Sequence, residues 1–271
     1  MTDRLKIGFD AKRIVRNGTG LGSYGRTLVN DLASYPLELR LYAPDQGRDP
    51  LRQQIKQQAN VSFCYPAPSS LPFSKALWRT KGIVSDLQRD GIQVFHGLSG
   101  ELPIGIRKSG IKSVVTIHDL IFLRHPEFYH WIDTKIYAWK FRQTIREADH
   151  IIAISECTKR DIIEYGDVDE SKISLIYQSC APKFTVSQSA APRERYILSV
   201  GSIEARKNIL LVVKALPYLP DDAQAMAQAI RQVLRGAEGR EKRIENSQQY
   251  IKRFAGRDVA GQVAELYRRL L

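Results

Sequence analysis

Arg206 and Lys207 stand side by side in YILSVGSIEARKN, Tyr196 to Asn208. Before them an apolar run, Tyr196 to Val200, ends on Gly201. After them Asn208 opens an apolar-periodic segment, Ile209 to Leu216. A buried strand, a glycine turn, two cations and a helix start make an anion site in that order. Free backbone N–H groups and the helix dipole favour a phosphate, and a guanidinium holds it with two parallel hydrogen bonds. A solvated basic turn uses the same residues, and local chemistry leaves both readings open. Gly20-Leu21-Gly22-Ser23-Tyr24-Gly25 has the literal G-x-G-x-x-G spacing of a dinucleotide fingerprint, and Asp45 follows roughly twenty residues on. In that fingerprint the first glycine follows its strand almost at once, whereas here Ala11 to Thr19 intervene. A loop where a ligand approaches the backbone suits Gly20 and Gly22 better, and a flexible turn is the alternative. His118 and Asp119, in TIHDL, stand at the carboxyl end of another apolar run. Ligands of open α/β sheets bind outside such ends. His118 there suits a hydrogen bond to a sugar hydroxyl or a developing charge, with Asp119 orienting it, and a structural histidine is the alternative. His96, in VFHG, is a weaker candidate of the same kind.

Two patterns imitate chemistry without supporting it. Asp167-Val168-Asp169 could hold a divalent metal on a diphosphate, but it falls in a polar loop between a helix and a strand. Glu156 and Glu164 sit about two turns apart on one helix and read as a solvated face. No metal ligand set emerges.

These residues need elements to position them, and the periodicity supplies them. Strands are predicted at Leu5–Asp10, Leu37–Tyr42, Val61–Tyr65, Gln93–His96, Ser113–Ile117, His150–Ile154 and Lys172–Ile176. Helices are predicted at Ser23–Ser34, Leu77–Arg89, Trp131–Ala148 and Glu156–Tyr165, the last capped by Ser155. Strands alternating with helices imply an α/β fold with a mostly parallel sheet covered on both faces. TVSQSAAPR, Thr185 to Arg193, reads as a linker. The chain divides into an N-terminal Rossmann-like domain over 1–185, a linker over 186–194 and a remainder over 195–271. From Ala223 to Leu271 the pattern is helical throughout.

The 271 residues are 43% hydrophobic, enough for a packed core, and carry a formal net charge of +12. The cations are spread along the chain, which points to anionic partners: phosphorylated ligands or an acidic membrane surface. No zinc spacing, RNA-binding aromatic signature or basic zipper helix is present in the sequence, so nucleic acid is not expected. Three widely spaced cysteines, Cys64, Cys157 and Cys180, fit a reducing cytoplasm. No apolar run is long enough to span a bilayer, so any membrane contact is expected to be peripheral.

Six pieces agree in order with one family. GTGLGSYGRTLV, VFHG, TIHDL, ADHIIAISECTKRDI, KISLIY and YILSVGSIEARKN together resemble family 4 of the retaining glycosyltransferases, the group 1 enzymes of the GT-B fold, over about the first 215 residues. The resemblance implies an N-terminal acceptor domain facing a nucleotide-sugar domain. It implies a UDP- or GDP-sugar as co-substrate without metal or other cofactor, and a glycan or lipid-linked acceptor at the inner face of a membrane. It places Gly20 and Gly22 near the donor diphosphate or acceptor, His118 beside the transferred sugar, and Arg206 and Lys207 on the leaving diphosphate. The chain departs from the family after ILLVVKALPYLPDD. The family's segment with two glutamates around a glycine–phenylalanine–glycine–proline core has no match, and roughly 100 residues of a second domain are missing between Leu216 and Ala223. The expectation is an internal deletion and negligible transfer. A non-catalytic acceptor-domain remnant and, less well supported, a nicotinamide-dependent oxidoreductase are the alternatives.

Overall fold

Each predicted strand of the first domain forms, and all seven join one parallel sheet. A computed structural model describes residues 4–68, 74–179, 201, 207–215 and 258–271. The strands are β1 (Leu5–Asp10), β2 (Leu37–Tyr42), β3 (Val61–Cys64), β4 (Val94–Gly97), β5 (Lys112–Ile117), β6 (His150–Ala153) and β7 (Ile173–Leu175). Their spatial order is β3-β2-β1-β4-β5-β6-β7. Every pairing is parallel, with Ile7 beside Leu39 on one side of β1 and beside Val94 on the other. The order reverses direction between β1 and β4, and that switch point leaves a crevice at the carboxyl edge.

Side-chain alternation divides the core between the two faces. Ile7, Phe9, Leu39, Leu41, Val94, Val114 and Ile152 enter one cluster with α1 (Lys12–Arg16) and α2 (Gly20–Leu32). Their neighbours Val115, Ile117, Ile151 and Ala153 point to the other face. There they meet Leu120, Phe141 of α7 (Trp131–Glu147) and Ile162 of α8 (Glu156–Gly166). Tyr42 and Phe95 face α5 (Ile83–Arg89) in a third cluster. Short helices α3 (Asp49–Arg52), α4 (Ser74–Leu77) and α6 (Ile121–Arg124) are too brief to show a period in the sequence.

The chain divides into two compact units, one of residues 1–181 with 257–271 and one of residues 182–256. In the second unit the described residues include α9 (Ile209–Ala215), where a helix is expected, and Lys207, which is exposed. The expected strand Tyr196–Val200, the linker 186–194 and Arg206 lie outside the described residues. The last helix, α10 (Val259–Leu270), belongs to the first unit and completes the core cluster on the α1–α2 face, burying Val259, Ala260, Val263, Ala264, Leu266 and Tyr267. Among the described residues no helix is long and apolar enough to cross a membrane.

Candidate functional site

The glycine stretch does not form an open loop throughout. Between β1 and Gly20 the chain makes α1, so the expected loop Ala11–Thr19 is partly helical, and α2 begins at Gly20 itself. A Cβ at Gly22 would lie 1.9 Å from the Asn17 carbonyl oxygen and 2.8 Å from that of Arg13. At Gly20 nothing lies within 4 Å. The two glycines therefore differ in kind: Gly22 lets α2 press against the end of α1, while Gly20 is open to an approaching group. Arg26, 5% exposed, locks the same corner by donating from Nη1 to the carbonyls of Ile14 and Asn17, both at 2.9 Å. Gly22→Ala is expected to lower stability by about 2–3 kcal/mol through overpacking against backbone. Gly20→Ala should leave the melting temperature unchanged. Thermal melts of the two variants check the contrast, and equal melting would show that the α1–α2 corner yields freely. The helical excursion also separates this glycine pattern from a dinucleotide fingerprint, whose glycine turn closes directly on its strand.

His118 follows β5, half-buried at the carboxyl edge. Its Nε2 lies 2.9 Å from the Leu98 carbonyl oxygen, which can only accept, so Nε2 carries the proton. Nδ1 then accepts from the Gln178 amide at 2.8 Å. Burial lowers the His118 pKa against the opposing pull of the Leu98 carbonyl and Asp119, in keeping with a neutral ring. The Tyr24 ring meets it edge-on at 4.9 Å, so the helix opened by Gly20 reaches His118 within about one turn. Asp119 is exposed and its carboxylate faces the Ile121 N–H at 3.4 Å. The hydrogen bonds that orient His118 come from Leu98 and Gln178 instead. Sequence reasoning misses both, because each is a matter of tertiary placement.

His96 is fully buried and belongs to the core. Its Nδ1 is 2.6 Å from the Tyr267 hydroxyl and its Nε2 is 2.8 Å from Thr116 Oγ1, which is 3.0 Å from the Tyr24 hydroxyl. A hydrogen-bonded chain thus runs from α10 through the sheet to the tyrosine that touches His118. Burial, with a smaller push from His118, lowers the His96 pKa to about 3, and burial raises that of Tyr24 to about 12.

At the switch point itself lies a cavity of about 380 Å³. Asp10 ends β1, and Arg79 donates to it from Nε at 3.1 Å and from Nη2 at 2.5 Å. Arg79 also pairs through Nη1 with Glu101, just past β4, and Lys140 of α7 reaches Glu101 at 3.1 Å. Burial opposes the Glu101 carboxylate, but Arg79 and Lys140 outweigh it and hold its pKa down at about 2. Arg79 sits in one wide helical turn, Trp78–Gly82, between α4 and α5, where a straight amphipathic helix is expected. Such turns recur at functional sites because they re-aim side chains. The four charges are far apart in sequence and meet only through topology, so no local pattern announces them.

The remaining motifs have structural work. Asp167 leaves α8 in the left-handed region, and Asp169 caps the following turn by accepting from Ser171 N–H at 2.8 Å. Among the described residues no cluster of three or more metal-ligating side chains occurs.

The profile described as Glycosyltransferase Family 4 matches residues 18–180. The serotype-specific mannosyltransferase WbdA of Escherichia coli is 28% identical over 153 residues, covering 49% of this chain and 18% of that protein. The O-antigen chain mannosyltransferase RfbU of Salmonella typhimurium is 26% identical over 103 residues, covering 38% of this chain and 28% of that protein. The matches thus span from 18% to 28% of the length of these relatives. The solved apo structure of the lipopolysaccharide outer core galactosyltransferase WaaB aligns with a TM-score of 0.42 and 13% identity, over 70% of this chain and 50% of that one.

Proposed function

Because this chain belongs to glycosyltransferase family 4, we propose that its first unit holds a glycan or lipid-linked acceptor for retaining, metal-independent transfer from a UDP- or GDP-sugar. The switch-point cleft carries this reading. It is a charge-lined cavity at the carboxyl edge of the sheet, the edge that also carries His118 and the one where ligands of such folds bind. The relatives' names, both mannosyltransferases, support a hexose donor, and one names an O-antigen chain. In this reading Gly20 gives the donor diphosphate or the acceptor room at the start of α2. His118 contacts the transferred sugar through Nδ1, which accepts from a sugar hydroxyl once the Gln178 amide yields. Asp119 supports it electrostatically. Arg206 and Lys207 stabilise the charge that develops on the departing diphosphate, a task fixed cations perform without a metal.

The same reading has the chain working at a cytoplasmic membrane face. Phe128, Trp131, Ile132 and Ile136 are exposed beside Lys135, which lies over the Trp131 ring at 4.9 Å. Aromatic and basic side chains together suit the headgroup level of a bilayer.

Without a counterpart to the family's sugar-gripping segment, the chain alone positions its donor poorly and turns it over negligibly. Two measurements check the proposal. Calorimetry with UDP and GDP should show binding that Lys207→Ala weakens by about 1.5–3 kcal/mol, the scale of a charge-assisted hydrogen bond. Nucleotide release from UDP- and GDP-hexoses should stay at background until a family-like insert is placed between Leu216 and Ala223. Clear turnover by the chain alone refutes the inactivity, and nucleotide affinity untouched in Lys207→Ala removes that residue's role.

A further inference from the structure

Five cations line the switch-point cavity: Lys12, Arg16, Lys75, Arg79 and Lys140. Their partners are three carboxylates. Asp10 and Glu101 are matched by Arg79 and Lys140. Asp45, past β2, is shared between Arg16 and Lys75, and it lies 3.1 Å from Lys75 Nζ. Lys12 has no carboxylate within ion-pair distance among the described residues, although it is half-buried. Burial, and Arg79 after it, push the Lys12 amine below the usual lysine range. Glu101 and Asp10 attract it only from beyond ion-pair distance, so a half-buried cation in a cavity with excess positive charge is a place for an anion.

The other wall of the cavity is apolar. Leu102, Pro103, Ile104 and Trp139 line it, and Trp139 is 51% exposed. On α7, Trp139 lies three, four and seven residues beyond Ile136, Lys135 and Ile132, so these residues share one helix face. All of them except the lysine are large exposed hydrophobics. One residue thus belongs both to the cavity and to an apolar stripe that leaves it.

We propose that the cavity takes an amphiphilic phosphate as its acceptor-side ligand, with the phosphate on Lys12 and the hydrocarbon chain passing Trp139 onto the α7 stripe. This rests on the acceptor reading of the cleft and narrows it to a lipid phosphate. A neutral glycan uses neither the spare cation nor the stripe, and a free sugar phosphate leaves the stripe unused. Nothing covalent is required of the cavity, because the proposal concerns binding alone.

The test titrates the full chain with monododecyl phosphate below its micelle concentration, following tryptophan fluorescence and calorimetry. Dodecyl maltoside, inorganic phosphate and a neutral mannose trisaccharide serve as the comparison ligands. The expected result is that the alkyl phosphate binds at least about tenfold tighter than each comparison ligand, the factor one charge-assisted contact supplies. K12M should remove most of that advantage for the phosphate, and W139A should weaken the alkyl ligands without changing inorganic phosphate. K172M, at the amino edge of the sheet, should change nothing, which separates the cavity from the general attraction of a basic protein. Melting curves of each variant confirm folding, and W139F, retaining a ring, should keep most of the affinity. Equal affinity for dodecyl maltoside, or K12M matching the parent, overturns the proposal. Tight binding of the trisaccharide with Trp139 quenching overturns it as well, yet leaves the acceptor cleft standing. No binding of any ligand overturns both.

Discussion

Deleting residues 258–271 is expected to abolish cooperative folding of the seven-stranded unit. The helix lost, α10, carries buried side chains at 259, 260, 263, 264, 266 and 267, a stripe at helical spacing that fills the α1–α2 face of the sheet. Val259, Val263, Leu266 and Tyr267 are each 5% exposed or less. At about 1.5–3 kcal/mol for each side chain fully buried, they contribute roughly 6–12 kcal/mol. That is comparable to the whole stability of a typical domain, about 5–15 kcal/mol. The loss also bares Phe9, which meets the Tyr267 ring at 6.4 Å, and leaves a His96 nitrogen without its partner. Asp258 caps the helix on Gly261 N–H and accepts from the Tyr35 hydroxyl at 2.7 Å, so the junction is specific as well as apolar. Urea and thermal unfolding followed by circular dichroism check this. A truncated chain with the parent's transition would show that α10 adds little. Tyr267→Phe is the graded version: it keeps the ring, orphans His96, and should cost about 1–3 kcal/mol.

The role of α10 shows what a sequence discloses and what it withholds. Strands β1 and β2 are legible to the residue, because alternating or continuous apolar runs end on Asp10 and before Pro44, where the chain chemistry changes abruptly. The helical character of the final segment is legible too. Its destination is not legible in the pattern itself, since an amphipathic helix states that it has a partner and not which one; only the resemblance to the family, whose C-terminal helices include one that crosses back to the N-terminal domain, implies it. The candidate site divides the same way. His118 is found from its place after a strand, a local fact. The Asp10–Arg79–Glu101–Lys140 chain is hidden because its members come from four separate segments and one depends on the wide turn at Trp78–Gly82. Gly22 is readable as special, but only the position of the Asn17 carbonyl shows that its reason is packing.

Stability is expected to fall as pH drops from 7 to 5, with His96 as the main cause. In the folded chain burial holds this histidine neutral, with a pKa of about 3, whereas unfolding returns it to about 6.5. Between those values the unfolded chain binds a proton that the native chain does not. The slope of unfolding free energy with pH is therefore positive, and stability is lost as pH falls through about 6.5. For His96 alone the loss is about 2 kcal/mol at pH 5 and about 4 kcal/mol at pH 3. His118 and His150, both lowered chiefly by burial, act in the same direction. The carboxylates enter later. Glu101 and Asp45, held near 2 against ordinary values of 4.5 and 3.8, lose their contribution only below those values. Acid loss between pH 6.5 and 5 is thus a histidine effect. Urea midpoints at pH 7, 6 and 5 measure it, and His96→Gln should flatten most of the slope while lowering stability at pH 7. A parent chain equally stable at pH 7 and 5 would contradict the assignment. Because His96 joins Tyr267 to Thr116, and Thr116 to Tyr24, its protonation should also loosen α10 before the sheet opens. Faster hydrogen exchange in residues 259–270 than in β5 at pH 5, and not at pH 7, is the local form of the same expectation.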